Sequence, residues 1–243
     1  MQNIKHHSLK AVSVVTFLNY AGRGMTLPFI SIYLVSVGFT GTEIGIVLSI
    51  SALVRLGLPP FLNTLADKQG RHRHLYYGLV IGNIITTLSL IVSPAKLWLS
   101  SLVIMRDSLD GPSASLLSQL TITELQSQNR DIYGRMRAFG SLGWAVTSMM
   151  SGTFIGIGGY VLLFVISALL NLISLPFARL LPAATNTESN RKNDSLNPVK
   201  RQKGFYILMA SWFLFYIGMT ALSAFMFVYF QQELGATDTM IGV

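Results

Sequence analysis

Apolar runs of span length alternate with short polar breaks along this chain. A helix needs roughly 20 mostly apolar residues to cross the hydrocarbon core of a bilayer. Seven runs meet that need: Ala11–Val37, Ile44–Leu65, Leu75–Val92, Leu97–Leu120, Phe139–Ile157, Tyr160–Leu180 and Phe205–Phe230. The fourth is unusually polar, and an eighth starts at Met240. The breaks Ser93-Pro94-Ala95-Lys96 and Gly156-Ile157-Gly158-Gly159 are so short that the helices they join must run antiparallel. The fold class predicted is an all-α membrane protein, a transmembrane helical bundle. Pro28 is expected to bend the first span, and Pro59-Pro60 to break the second.

The segment Pro182 to Lys203 is different. It is polar and rich in Asn, Ser, Lys and Arg, the composition of a linker. It divides the chain into a six-helix bundle over 1–181, a linker over 182–203, and a seventh span with the start of an eighth over 204–243.

Composition narrows the class further. Apolar residues make up 51% of the 243 positions and charged residues 12%. A soluble domain carries about 25% charged residues, so a disordered chain or an ordinary cytosolic enzyme does not fit. The net charge of +8 raises the question of nucleic acid, but the basic residues have another address. Fourteen of the 18 Lys and Arg fall on one side of an alternating topology, in loops such as Lys68–Arg73 and Arg130–Arg137 and in the linker. The opposite side holds only Lys96. By the positive-inside rule the N-terminus and the even loops are cytoplasmic. The expected location is the plasma (cell inner) membrane, multi-pass, with the lipid bilayer and no nucleic acid as partner. Lys5 and Lys10 ahead of Ala11–Leu18 imitate a signal peptide, but the apolar run continues past a signal's length without an A-x-A site.

Catalytic chemistry is not legible. There is no Cys, and the His at 6, 7, 72 and 74 have no metal-ligand spacing. No Ser–His–Asp set, HExxH or phosphate loop is found. No metal or cofactor is expected, and a proton gradient is the expected energy source.

The chain contains a repeat. At an offset of 196, Phe17, Leu18, Tyr20, Gly22, Phe29 and Tyr33 match Phe213, Leu214, Tyr216, Gly218, Phe225 and Tyr229. One extra residue then shifts the offset to 197, where Gly38, Thr40, Thr42, Ile44 and Gly45 match Gly235, Thr237, Thr239, Ile241 and Gly242. Span seven therefore restarts what span one began. Parallel repeats are a transporter design, and five further spans are expected beyond Val243, so the sequence reads as truncated.

Between spans two and three stands Leu65-Ala66-Asp67-Lys68-Gln69-Gly70-Arg71-His72-Arg73. It resembles the loop signature of the major facilitator superfamily, G-x-L-A-D-[RK]-x-G-R-[RK]-[RK], departing at Asn63 and His72. The resemblance implies that the six spans are that family's N-terminal half and that the C-terminal half of the same transporter is missing. It also implies a cytoplasmic gate built from Asp67, Gly70, Arg71 and Arg73, with Glu124 or Asp131 at the inner end of span four. The alternative is a positive-inside anchor only. A second stretch, Tyr133-Gly134-Arg135-Met136-Arg137-Ala138-Phe139-Gly140-Ser141-Leu142-Gly143-Trp144, is similar to the start of span five in proton-coupled sugar and nucleoside symporters of the lactose-permease type. That resemblance implies that Arg137 binds substrate; otherwise it snorkels to the inner interface. The partner carboxylate of those symporters, three residues after a span-four Pro, is Ser115 here. Gly143, Gly152 and Gly156 partly echo an antiporter signature, with Ile157 in place of its Pro; close helix packing explains them equally.

Five ionisable residues fall near mid-span: Arg23, Arg55, Arg106, Asp107 and Asp110. Such a charge costs on the order of 3 kcal/mol on insertion scales and persists where it is paired or wetted. Arg106 and Asp110 are four apart on one helix face, and are expected to form a proton-switchable pair. Asn19 and Tyr20 lie one turn from Arg23. The set is either a site for a small polar or anionic solute or a static internal network. The function expected is secondary active transport by alternating access with proton symport; the rival is a non-transporting membrane scaffold or sensor.

Overall fold

The computed structural model describes residues 2–92, 95–126, 132–181, 203–237 and 240. Among these there is no strand. The helices are α1 (Gln2–Thr26), α2 (Ile30–Ser36), α3 (Gly41–Gln69), α4 (His72–Ser89), α5 (Lys96–Gln126), α6 (Ile132–Ala178) and α7 (Lys203–Gln232). A short 3₁₀ turn, Leu90–Val92, extends α4. The segment 182–202 lies outside the described residues, and so does Asp131.

Among the described residues, three helices are long and apolar enough to cross a membrane: Gly41–Gln69, His72–Val92 and Tyr133–Ala178. The last is two antiparallel limbs merged across one non-helical residue, Gly159, at φ 64° and ψ −167°. The turn is thus a single glycine wide, tighter than the four residues expected. The 31-residue α5 is not in that set, because Arg106, Asp107 and Asp110 interrupt its apolar run.

Proline acts unequally. Span one divides into α1 and α2 around Pro28, as expected. Pro59 and Pro60 do not break α3, which is continuous across both. They only remove two N–H donors, a loss tolerated within a membrane helix when neighbours re-satisfy the carbonyls.

Packing is layered. An inner apolar cluster joins Val12 and Val15 of α1, Tyr76 and Leu79 of α4, and Leu116 and Leu120 of α5. An outer cluster joins Ile30 and Leu34 of α2, Ile44 of α3, Leu90, and Leu99 and Val103 of α5. Between them on the same helices lie the buried polar residues Arg23, Thr26, Asn83, Thr86, Thr87, Arg106 and Asp107. The bundle holds a polar belt between two oily layers.

The α1 helix packs closely against both limbs of α6, and glycines permit it. A Cβ on Gly24 would lie 2.6 Å from the Trp144 carbonyl oxygen, and one on Gly143 would lie 2.5 Å from that of Phe17. The approach is sealed by Thr147 Oγ1 donating to Ala21 O at 2.8 Å and Ser167 Oγ donating to Gly22 O at 2.8 Å. Gly143 is therefore a packing residue, whereas Gly156 faces open space.

The repeat is written into backbone geometry. Gly38 and Gly235 both take positive φ, 88° and 63°. Thr40 Oγ1 accepts from the Glu43 N–H at 3.3 Å, and its equivalent Thr237 Oγ1 accepts from the Met240 N–H at 3.4 Å. The turn between helix end and cap closes through Phe39 N–H to Leu34 O, and through Ala236 N–H to Phe230 O. The second closure is one residue longer, matching the change of offset. The α7 helix meets α2, where Phe227 stacks on Phe29 at 6.2 Å.

Candidate functional site

The polar belt holds two ion pairs. Arg23, at the end of α1, lies with Nε 2.9 Å from Asp110 Oδ1. This is a charge contact, since Nε–H is not aligned for a hydrogen bond. Its Nη2 donates to the Asp110 carbonyl at 2.6 Å and to Ser113 Oγ at 3.0 Å. Arg106, with 1% of its surface exposed, places Nη1 3.3 Å from Asp107 Oδ1. It also donates from Nε to Thr87 Oγ1 at 3.3 Å and from Nη2 to Thr26 Oγ1.

The expected Arg106–Asp110 pair is therefore not formed. Helical spacing places their Cβ atoms on one face, but the guanidinium is long enough to swing sideways. Hydroxyls from α1 and α4 draw Arg106 to Asp107, while α1 delivers Arg23 to Asp110. Each acid has one guanidinium, and the two pairs are neutral.

Arg55 departs from the cluster. It is exposed on α3, its stem 3.5 Å from the Cβ position of Gly111. It forms no ion pair among the described residues and feels Asp107 through space.

Tyr20 joins Arg23 to Arg137. The Arg23 guanidinium carbon lies 5.4 Å from the Tyr20 ring centroid, and that of Arg137 lies 4.8 Å away. Arg137 Nη1 also donates to the Tyr20 hydroxyl. Next to this contact opens a small recess of about 20 Å³, partly open to solvent, lined by Thr16, Tyr20, Ser118, Thr121, Tyr133 and Arg137 among others. Thr16 Oγ1 is buried there without a hydrogen-bond partner. Asn19 is buried on the same helix, with its Oδ1 likewise unpartnered, beside the buried Tyr76 hydroxyl.

In the loop between α3 and α4 the expected gate residues find separate partners. Gly70 ends α3 in the left-handed region at φ 62°, as its sequence position requires. Across that turn His72 Nε2 meets Asp67 Oδ1 at 2.7 Å. Asp67 pairs with the residue that departs from the family pattern, not with Arg71, which is exposed. Arg73 donates to the carbonyls of Arg179 at 3.1 Å and Leu181 at 3.4 Å. It ties down the turn that follows α6. Glu124 is on the last turn of α5, and its side chain is outside the described residues.

Sequence reading missed Thr26, Thr87, Asn83 and Ser113. Their signal was available as polar residues inside apolar runs, with Asn83 and Thr87 at i, i+4 on α4. Among the described residues no cluster of His, Cys, Asp or Glu is fit to hold a metal.

A helical bundle with a charged belt at mid-depth and a repeated first helix defines a membrane carrier's architecture. The chain belongs to the MFS_1-like family of the major facilitator superfamily, which it matches over residues 9–243. The family and fold are a transporter's and not an enzyme's. It is similar to the solved nucleoside transporter NupG at a TM-score of 0.73 and 19% identity, over 93% of this chain and 59% of that one. It is 35% identical over 65 residues to the quinolone resistance protein NorA of Staphylococcus aureus, covering 27% of this chain and 17% of the relative. It is 29% identical over 99 residues to the major facilitator superfamily domain-containing protein 6-like of Danio rerio, covering 39% and 18%. The chain thus spans well under two thirds of the length of these relatives.

Proposed function

We propose that this chain is the N-terminal part of a secondary active transporter that moves a small polar or anionic solute by alternating access, driven by proton symport. The observation that carries the reading is the Arg23–Asp110 pair. It is formed between two helices at mid-depth, and its side chains are only 9% and 16% exposed. A carboxylate that changes partner when protonated is a switch between helices. An arginine in the belt suits a polar or negatively charged ligand. Arg137, Tyr20 and the adjoining recess are the ligand-facing side of the site. Asn19 lends a second polar contact, and Arg55 the unneutralised charge.

The remaining assignments follow from this reading. A second helical half completes the pathway, supported by the repeat and by the 59% coverage of NupG. The protein resides in the plasma (cell inner) membrane with its N-terminus in the cytoplasm, supported by the distribution of Lys and Arg. Asp67, Gly70 and Arg71 form the cytoplasmic latch, with His72 in place of a fixed charge.

The test is uptake into membrane vesicles from cells expressing the whole reading frame, under an imposed proton gradient. Labelled nucleosides, sugars, aromatic acids and a quinolone form the panel, the first and last drawn from the names of the neighbours. Asp110→Asn should abolish uphill accumulation and spare exchange. Uphill uptake that survives this change removes Asp110 from the mechanism. The second reading, a membrane scaffold or sensor, is favoured by the complete pairing of both acids. It requires that charge-neutral variants leave every function intact.

A further inference from the structure

Tyr20 touches both halves of the site. Arg137 binds its hydroxyl and lies by its ring, while Arg23 lies by the same ring and holds Asp110. The ring has little freedom, because a Cβ on Gly140 would stand 3.0 Å from Tyr20 Cδ2. An aromatic face attracts cations through its quadrupole, so two guanidinium groups by one ring share a limited attraction. When Arg137 leaves, the ring pulls harder on Arg23.

We propose that Tyr20 is a positioning residue that couples the ligand-facing Arg137 to the protonation of Asp110. The inference rests on the reading of Asp110 as the proton-accepting group. An anionic solute in the recess draws Arg137 off Tyr20. Arg23 then shifts toward the ring and loosens its hold on the carboxylate. Asp110 takes one proton from water, and anion and proton are carried together. The charges facing Asp110 are Arg23 from α1, Arg106 and Asp107 on its own helix and Arg55 from α3. Arg137 of α6 reaches it only through Tyr20. Tyr76 of α4 lies within electrostatic reach of Arg23.

The experiment is a double-mutant cycle on this chain in lipid nanodiscs, with folding checked by circular dichroism. The pH midpoint of Asp110 is read from its infrared carboxyl band, assigned by the band's loss in Asp110→Asn. Arg137→Gln imitates the departed guanidinium. With Tyr20 present it should raise the midpoint by about half a pH unit or more, the scale of one cation–π contact. In a Tyr20→Leu background the same change should move it little. Tyr20→Met, also without a ring, replaces Leu if that variant does not fold. Equal shifts in both backgrounds mean that Arg137 acts through space, and overturn the link; so does no shift, or a downward one. A carboxyl band that never titrates sinks the reading of Asp110 itself, a different result from a band that titrates without coupling.

Discussion

Asn63 Nδ2 donates to Ser115 Oγ at 2.7 Å. These two residues are departures from two different family patterns. Asn63 stands where the loop signature has Gly, and Ser115 stands where the similar symporters have a carboxylate. In this chain the two are hydrogen-bonded across the α3–α5 seam, while Asn63 Oδ1 is buried without a partner.

That contact predicts compensation. Ser115→Ala should destabilise the bundle by about 1 kcal/mol, the usual net worth of one hydrogen bond. Asn63→Ala should cost a similar amount, and the double variant less than the sum. Thermal unfolding in detergent measures all three, and full additivity would show that the pair is not energetically coupled.

The second buried ion pair predicts an asymmetry. Asp107→Asn leaves Arg106 buried without its counter-charge and should destabilise by about 3–5 kcal/mol. Replacing both residues with apolar ones of similar size should cost less than the single change. Yield of monodisperse protein and its melting temperature provide the readout.

Close packing of α1 on α6 predicts which glycines tolerate a methyl group. Gly24→Ala forces a Cβ to within 2.6 Å of the Trp144 carbonyl oxygen, and backbone cannot give way cheaply. The expected cost is about 1–3 kcal/mol. Gly156→Ala meets nothing within 4 Å and should be neutral. A thermal shift assay comparing the two tests this, and equal effects would contradict the packing.

Arg73 is read as a cap on the turn that ends α6, through the carbonyls of Arg179 and Leu181. Arg73→Ala should speed amide hydrogen exchange over the last turn of α6 and cost about 1 kcal/mol. Exchange near Gly159 should not change. If Arg73→Ala instead leaves that last turn as protected as before, the capping role is wrong.

Repeated caps predict repeated energetics. Thr40→Ala removes a capping box, in which the Glu43 carboxylate also accepts from the Thr40 N–H at 2.7 Å. It should cost about 1 kcal/mol. Lys96 binds that same carboxylate at 3.0 Å. Thr237→Ala removes only the hydroxyl contact to Met240 and should cost less. Stability of the two variants, measured side by side, decides it.

The sequence by itself determined the class, the order of the helices, the repeat and the residues that carry charge. These are properties of composition and period, and the bilayer enforces them, because a long apolar run has few folds open to it there. Even the handedness of Gly70 was legible, since a tight helix end calls for glycine. Partner choice was decided only in three dimensions. Arg106 turned from Asp110 to Asp107, Asp67 met His72, and Arg73 reached across to the turn after α6. A guanidinium on a flexible stem settles where hydroxyls, carbonyls and carboxylates of other helices converge. One helix's spacing cannot specify that convergence, because it depends on how closely glycines such as Gly24 and Gly143 let the neighbours approach.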